Sequence, residues 1–132
     1  MARGGISFDG IGAQQATFVA GAGLKALVQS GTRDDVVGMP VVVSAGGEVD
    51  LGADGDTIFG FVDVYEMDGH VGVQFRGFRT DVPIGAVAPT VGKLAATDGA
   101  GNAKDSASTA KTRAPIFIEV DEIEEVATVF LG

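Results

Sequence analysis

Short stretches of alternating apolar and polar residues run along most of the chain, with turn-forming residues between them. The clearest pair of stretches is 57–65 and 70–78, which flank the sequence Glu-Met-Asp-Gly at 66–69. Gly69 can adopt the positive φ that a tight turn requires at this point. The second stretch has one apolar and one polar face; its apolar positions are Val71, Val73 and Phe75. The pattern predicts a β-hairpin.

The first arm of this hairpin is apolar on both faces. Ile58, Val62 and Val64 share one face, and Phe59, Phe61 and Tyr65 share the other. A strand that is apolar on both sides is buried on both sides. We therefore expect the strand to lie within a barrel or against another subunit. After the second arm, Gly77 precedes a change in the alternation and predicts a β-bulge.

Further strands are predicted where β-branched residues cluster between turn signals. These segments are 16–20, 36–37 with 39–44, 48–51, 115–120 and 127–131. Asp-Gly dipeptides at 9–10, 54–55, 68–69 and 98–99 mark tight connections between short strands. The predicted fold class is all-β: a small β-barrel or sandwich of short antiparallel strands. We expect a flexible glycine-rich N-terminal arm at 1–14, followed by a single β domain at 15–132.

Three connecting segments have distinct compositions. Residues 85–92 follow Pro83 and include Pro89, which excludes a central strand and predicts an edge or a connector. Residues 95–114 are small and polar, and we expect a mobile hairpin or loop on the surface. Residues 119–125 contain five carboxylates, as expected for a charged turn at the end of a hairpin.

Composition narrows the classes of function. The chain has 132 residues, 21 of them glycine, a formal net charge of -9 and no cysteine. Disulfides and thiolate chemistry are excluded. The excess of carboxylates argues against a nucleic-acid partner. No apolar stretch is long enough for a membrane helix, and the first residues do not form a signal peptide. The expected partner is neutral, basic or another protein.

A glycine-rich string at residues 21–26 matches the pattern G-x-G-x-x-A. A dinucleotide fold also requires a long helix after this loop and an acidic residue about 20 positions further on. Gly31 would end such a helix early, and position 46 is glycine. The string therefore predicts a turn between strands, and no cofactor is expected.

The other candidate chemistry is sparse. His70 is the only histidine and follows a turn, which is a poor place to shift the pKa of a general base. Asp50, Asp54 and Asp56 could supply oxygen ligands to calcium, although aspartate and glycine are also ordinary turn formers. The turn is the favoured interpretation, so no metal site and no catalytic residue are predicted. The chain is not expected to be an enzyme.

The order of several segments resembles that in capsid decoration, or cement, proteins of tailed bacteriophages. The segments are 46–62, Val-Gly-Val-Gln-Phe-Arg-Gly at 71–77, Val-Pro-Ile at 82–84, 96–102 and the terminal Ala-Thr-Val-Phe-Leu. The resemblance covers about residues 37–131. It implies a compact β-barrel-like domain on the outer surface of the phage head, where it reinforces contacts between major capsid subunits. It implies no catalytic residues.

The resemblance sets expectations for partners and contacts. The partner would be the major capsid protein, and the location the outer surface of the capsid in the virion. We expect a homo-oligomer, with a trimer favoured over a dimer. Ile6, Phe8 and Ile11 in the N-terminal arm are candidate contacts with the capsid or with another subunit. The alternative is a ligand- or glycan-binding β module of a phage fibre or head-fibre base.

Overall fold

The computed structural model describes residues 13–108 and 114–132. The described part of the chain is built mainly of strands, so the predicted all-β class is confirmed. A 3₁₀ turn covers Arg33–Val36. The other elements, in chain order, are β1 (Gln14–Ala20), α1 (Ala22–Ser30), β2 (Pro40–Ala45), β3 (Glu48–Asp50), β4 (Gly60–Tyr65), β5 (His70–Arg76), β6 (Phe78–Pro83), β7 (Ala95–Thr97), β8 (Ala103–Asp105), β9 (Ile116–Asp121) and β10 (Val126–Phe130).

Five strands form a closed barrel in the order β1-β3-β2-β4-β5. The hairpin predicted around residues 66–69 is confirmed as β4 and β5, and Gly69 has a φ of 85°. β1 closes the barrel by pairing antiparallel with β5 and parallel with β3. The parallel pair departs from the expected antiparallel arrangement. It is possible because α1 and β2 lie between the two strands and supply the crossover that parallel strands need.

Two further sheets pack beside the barrel. One has three antiparallel strands in the order β6-β10-β9, and the other is the hairpin β7-β8. The strands predicted at 115–120 and 127–131 are confirmed as β9 and β10, with the acidic residues in the turn between them. The segment 85–92 contains no strand and is a connector, as its prolines predict.

β4 separates two hydrophobic cores and contributes to both. Val62 lies in the barrel core, which also contains the fully buried Val41, Val49, Val71 and Val73. Its neighbour Phe61 points to the other side and is fully buried in the second core, together with Val82, Phe117 and Val129. The prediction that this strand is buried on both sides is thus confirmed within a single chain, except at Val64, which is 45% exposed. The predicted membership of the two faces was wrong: Tyr65 lies with Val62 in the barrel core, and Ile58 lies with Phe61 in the second core. The register of β4 shifts between Val62 and Val64, which moves Tyr65 to the barrel side, and Ile58 precedes the strand.

Gly60 allows β4 and β5 to approach closely at the start of β4. A Cβ at this position would lie 2.5 Å from the carbonyl oxygen of Gln74 and 2.7 Å from Cγ1 of Val73. Any larger residue would push the two strands apart where they pass between the two cores.

The glycine-rich string at 21–26 was wrongly predicted to be a turn between strands. It begins the nine-residue helix α1, which is flanked by Gly21 and Gly31. Leu24, Leu27 and Val28 recur at helical spacing and face the barrel, where Leu24 is fully buried. This apolar face stabilises a helix too short to be stable by itself in water.

Three other predictions of local structure were wrong. Val36 lies in the 3₁₀ turn instead of a strand. Gly77 does not form a bulge within one strand; with a φ of 87° it separates β5 from β6, and the chain passes there to the second sheet. In the segment 95–114, β7 and β8 form the expected hairpin, but Ala95, Ala96, Thr97 and Ala103 are buried, so this part is not a surface loop. Residues 109–113 of that segment lie outside the described residues.

Candidate functional site

The glycine-rich string at the start of α1 holds one of the chain's own carboxylates. Asp50, at the end of β3, accepts hydrogen bonds from the backbone N–H groups of Gly23 at 3.2 Å and Leu24 at 2.9 Å. A Cβ at Gly21 or Gly23 would collide with this carboxylate. The positive end of the helix dipole is therefore neutralised from within the chain, at the place where a bound phosphate would otherwise lie.

The three aspartates considered as calcium ligands have separate roles. Asp50 caps α1, Asp54 forms an ion pair with Lys104 at 2.7 Å, and Asp56 accepts the backbone N–H of Ala53 at 2.9 Å. Within residues 13–108 and 114–132, no three acidic or histidine side chains are grouped closely enough to hold a metal ion. The structure therefore does not bring these carboxylates into one coordination site.

His70 is paired with Asp68 at the turn between β4 and β5. The Nδ1 atom of His70 lies 3.0 Å from Oδ1 of Asp68, and the backbone N–H of His70 donates to the same oxygen at 3.1 Å. The backbone hydrogen bond, followed by the side-chain one, lowers the pKa of Asp68. Both side chains are about half exposed or more, so the pair lies in solvent at the rim of a groove.

This groove, called the helix groove below, lies between α1 and the turn that joins β4 to β5. Its volume is about 410 Å³. Lys25 and Arg33 supply two cations, and Val28, Tyr65 and Met67 supply apolar surface; Gln29, Asp68 and Gly69 complete the lining. Neither cation forms an ion pair among the described residues. The lining of the helix groove therefore combines two cations, one carboxylate and apolar surface.

A second groove, called the sheet groove below, lies between the barrel and β6 and has a volume of about 450 Å³. In it, Arg79 forms an ion pair with Asp63 at 2.7 Å, and both side chains are largely buried. The amide nitrogen of the buried Gln74 donates to the carbonyl oxygens of Arg76 and Phe78. The Nε atom of Arg79 is buried without a hydrogen-bond partner in the part of the chain that the structure describes. These contacts fix the barrel against the second sheet.

The outer wall of the barrel carries a small apolar surface, called the valine patch below: Val19, Val64 and Gly72. Val64 pairs with Gly72, and a Cβ at Gly72 would lie 2.7 Å from Cγ1 of Val64. The side chain of Val64 therefore lies across the glycine. Val19 lies on β1 opposite His70, two residues after the partner of Gly72, and therefore on the same face of the sheet as Gly72. Its side chain is 43% exposed. Gly72 lies on β5, between the two strands that carry the valines, and adds no side chain to this surface.

The sequence predictions of contact residues have mixed outcomes. Ile6, Phe8 and Ile11 lie outside the described residues. The strand 58–65 presents only Val64 to a partner, since Phe61 and Val62 are buried in the chain's own cores. Lys25 and Arg33 were not predicted as site residues, because their proximity depends on a helix that was not predicted either. The helical spacing of Leu24, Leu27 and Val28 was the signal that could have revealed it.

Among the described residues, no helix has the length and apolar character needed to cross a membrane. Compared with protein-family models, curated proteins and solved structures, the chain matches none of them.

Proposed function

We propose that this chain is a capsid decoration protein that binds the outer surface of a tailed-phage head and stabilises contacts between major capsid subunits. The proposal starts from the order of segments over residues 37–131. The structural observation that supports it most directly is the valine patch on the wall of a closed barrel. A partner that covers Val19 and Val64 would remove their exposed apolar surface from water.

The position of β1 connects the valine patch with the N-terminal arm. Thr17 and Val19 of this strand pair with Gly72 and His70, at the patch. The same strand begins at Gln14, the last residue of the predicted arm, which also carries Ile6, Phe8 and Ile11. In our proposal the patch and the arm contact the capsid together, and the arm supplies additional apolar anchors.

The net charge of the chain suits a protein that is synthesised as free copies and binds the capsid afterwards. A net charge of -9 limits non-specific aggregation of free copies through the exposed valines. It also disfavours contact with packaged DNA. Proteins that decorate the outside of a capsid require both properties.

The test is binding of the purified protein to phage heads that lack it, measured by co-sedimentation with and without heating. We expect stoichiometric binding and delayed rupture of the heated heads. Val64→Asp places a charge in the patch and should weaken binding at least about tenfold. Val43→Asp is the matched control, because Val43 is also a half-exposed valine (51%) and lies on a strand outside the patch, β2, where it pairs with Val49 of β3. Removal of residues 1–12 should weaken binding without unfolding the barrel.

Two outcomes would overturn the proposal. Failure of the folded protein to bind any tailed-phage head would remove its basis, and saturable glycan binding by the isolated domain would then favour the alternative of a ligand-binding module, with the polar sheet groove as its first candidate site. Binding that Val64→Asp and Val43→Asp weaken equally would show that the valine patch is not the contact face.

A further inference from the structure

The turn between β9 and β10, residues 121–125, has an unusual combination of side chains and is called the acidic knob below. Ile123 at its tip is 93% exposed. The neighbouring Glu122, Glu124 and Glu125 are exposed as well. Burial of this isoleucine against a partner would be favourable, because it would remove apolar surface from water.

The side chain of Asp121 holds the backbone of the acidic knob. The carboxylate of Asp121 accepts the N–H groups of Ile123 and Glu124, both at 3.1 Å. Glu125 has a φ of 55°, a value that side-chain-bearing residues rarely adopt. The hydrogen bonds to Asp121 therefore order the backbone that carries Ile123. Such preorganisation lowers the entropy lost on binding.

The helix groove is complementary to this knob. It offers an apolar floor of Val28 and Tyr65, and Lys25 and Arg33 stand at its side without carboxylate partners among the described residues. The carboxylate of Asp68 also lines the groove, but it is bonded to His70. The volume of the helix groove, about 410 Å³, is within the usual range of ligand sites, about 300–1,000 Å³. This volume leaves room for an isoleucine and its flanking carboxylates.

We infer that the acidic knob of one copy docks into the helix groove of a second copy of this chain. Ile123 covers Val28 and Tyr65, and the glutamates beside it pair with Lys25 and Arg33. The knob belongs to the second sheet and the groove to the barrel, so each copy can donate its knob to one neighbour and receive the knob of another. Such a head-to-tail contact closes into a ring when the rotation between copies allows it.

The contact does not depend on capsid binding and can be tested without phage heads. Sedimentation velocity at tens of micromolar protein should show an oligomer that dissociates as salt rises from about 0.05 to 0.5 M, since the paired charges are near the surface. Reversal of the groove (Lys25→Glu with Arg33→Glu) or of the knob (Glu122→Lys with Glu124→Lys) should each weaken self-association at least about tenfold.

Charge exchange supplies the decisive comparison. An equimolar mixture of the groove-reversed and knob-reversed proteins should associate again. The acidic knob of the first then meets the basic groove of the second, and the basic knob of the second meets the acidic groove of the first. A chain with all four reversals should also self-associate. Lys93→Glu is the control for a change of charge elsewhere. Circular dichroism of every variant must show the wild-type fold.

Three results would overturn the inference. The wild-type protein could remain monomeric at these concentrations. The oligomer could persist unchanged in both reversed variants. Finally, the groove-reversed protein could self-associate normally but fail to bind phage heads, which would assign the helix groove to the capsid. Loss of the oligomer with intact head binding would separate this contact from the proposed function.

Discussion

The carboxylate of Asp50 lies 2.9 Å from the backbone nitrogen of Leu24 and caps a helix that begins 28 positions earlier in the chain, at Ala22. The same carboxylate accepts the N–H of Gly23. Gly21 and Gly23 leave the space that it occupies. The glycine pattern is shared with dinucleotide-binding loops, but here it joins α1 to the barrel strand β3. The group bound by the loop is the carboxylate of Asp50.

Replacement of Asp50 by alanine should lower the free energy of unfolding by about 1 kcal/mol, the usual effect of losing a helix cap. Chemical denaturation at pH 7 measures this. Asp34→Ala is the matched control, because Asp34 is exposed and its side chain makes no hydrogen bond among the described residues. An equal effect of the two substitutions would contradict the capping role.

Replacement of Gly60 by alanine should destabilise the fold by about 1–3 kcal/mol, as expected for overpacking. The added methyl group would meet the carbonyl oxygen of Gln74, which belongs to the backbone of β5 and cannot move aside cheaply. Gly46→Ala is the control, since a Cβ there meets nothing within 4 Å. Thermal unfolding of both variants should show a loss only at position 60; similar melting temperatures would refute the close approach of β4 and β5.

Millimolar calcium should leave the melting temperature unchanged relative to protein in a chelator. Asp50, Asp54 and Asp56 are engaged with α1, Lys104 and Ala53 respectively, so calcium would have to break these contacts to bind. A ligand that binds only the folded state raises its stability in proportion to the logarithm of its concentration. An increase of several degrees that Asp54→Asn abolishes would show that the three carboxylates do form a site.

The carboxylate of Asp98 should make stability depend on pH in the acidic range. Burial raises its pKa, but hydrogen bonds from the backbone N–H groups of Ala100 and Asn102 and from the Asn102 side chain outweigh this and hold the pKa below 3.8. Because the folded-state pKa is lowered, the stabilisation is complete above the unfolded-state value of 3.8 and is lost as pH falls through the folded-state value. The effect should stay under about 1 kcal/mol, since the group is only partly buried and solvent screens its charge.

Denaturation of the wild type and of Asp98→Asn between pH 7 and pH 2 tests this dependence. The difference between the two proteins should be constant near neutrality and shrink at pH values below 3.8. Asp34→Asn serves as the control for loss of a charge. A difference in stability that stays constant throughout the range would contradict the prediction. It would mean that the hydrogen bonds to Asp98 do not stabilise its charged form in the folded state.

The sequence predicted the parts of the fold whose signals are local. Alternation and the turn at Gly69 located β4 and β5, and the paired apolar segments near the end located β9 and β10. The helix was missed because Gly31 was taken to end any helix early, whereas burial of Leu24 under the barrel stabilises the short helix.

Burial of β7 and β8 was missed for a different reason. Small residues were taken as surface residues, but they also allow close packing. A Cβ at Gly101 would lie 2.7 Å from Sδ of Met39, so this hairpin presses against the barrel through residues with little side chain. The two grooves were beyond prediction because each joins residues from elements far apart in sequence, as Asp63 and Arg79 do in the sheet groove.

The position of β1 in the barrel also has a kinetic consequence. As the chain emerges from the ribosome, β1 is made first, but its antiparallel partner β5 begins only at His70. Until then the sheet β1-β3-β2-β4 has two open edges, at β1 and at β4. Contacts of such long sequence separation form slowly. Closure should therefore be a late event in folding, and substitutions in β1 should speed unfolding more than they slow folding.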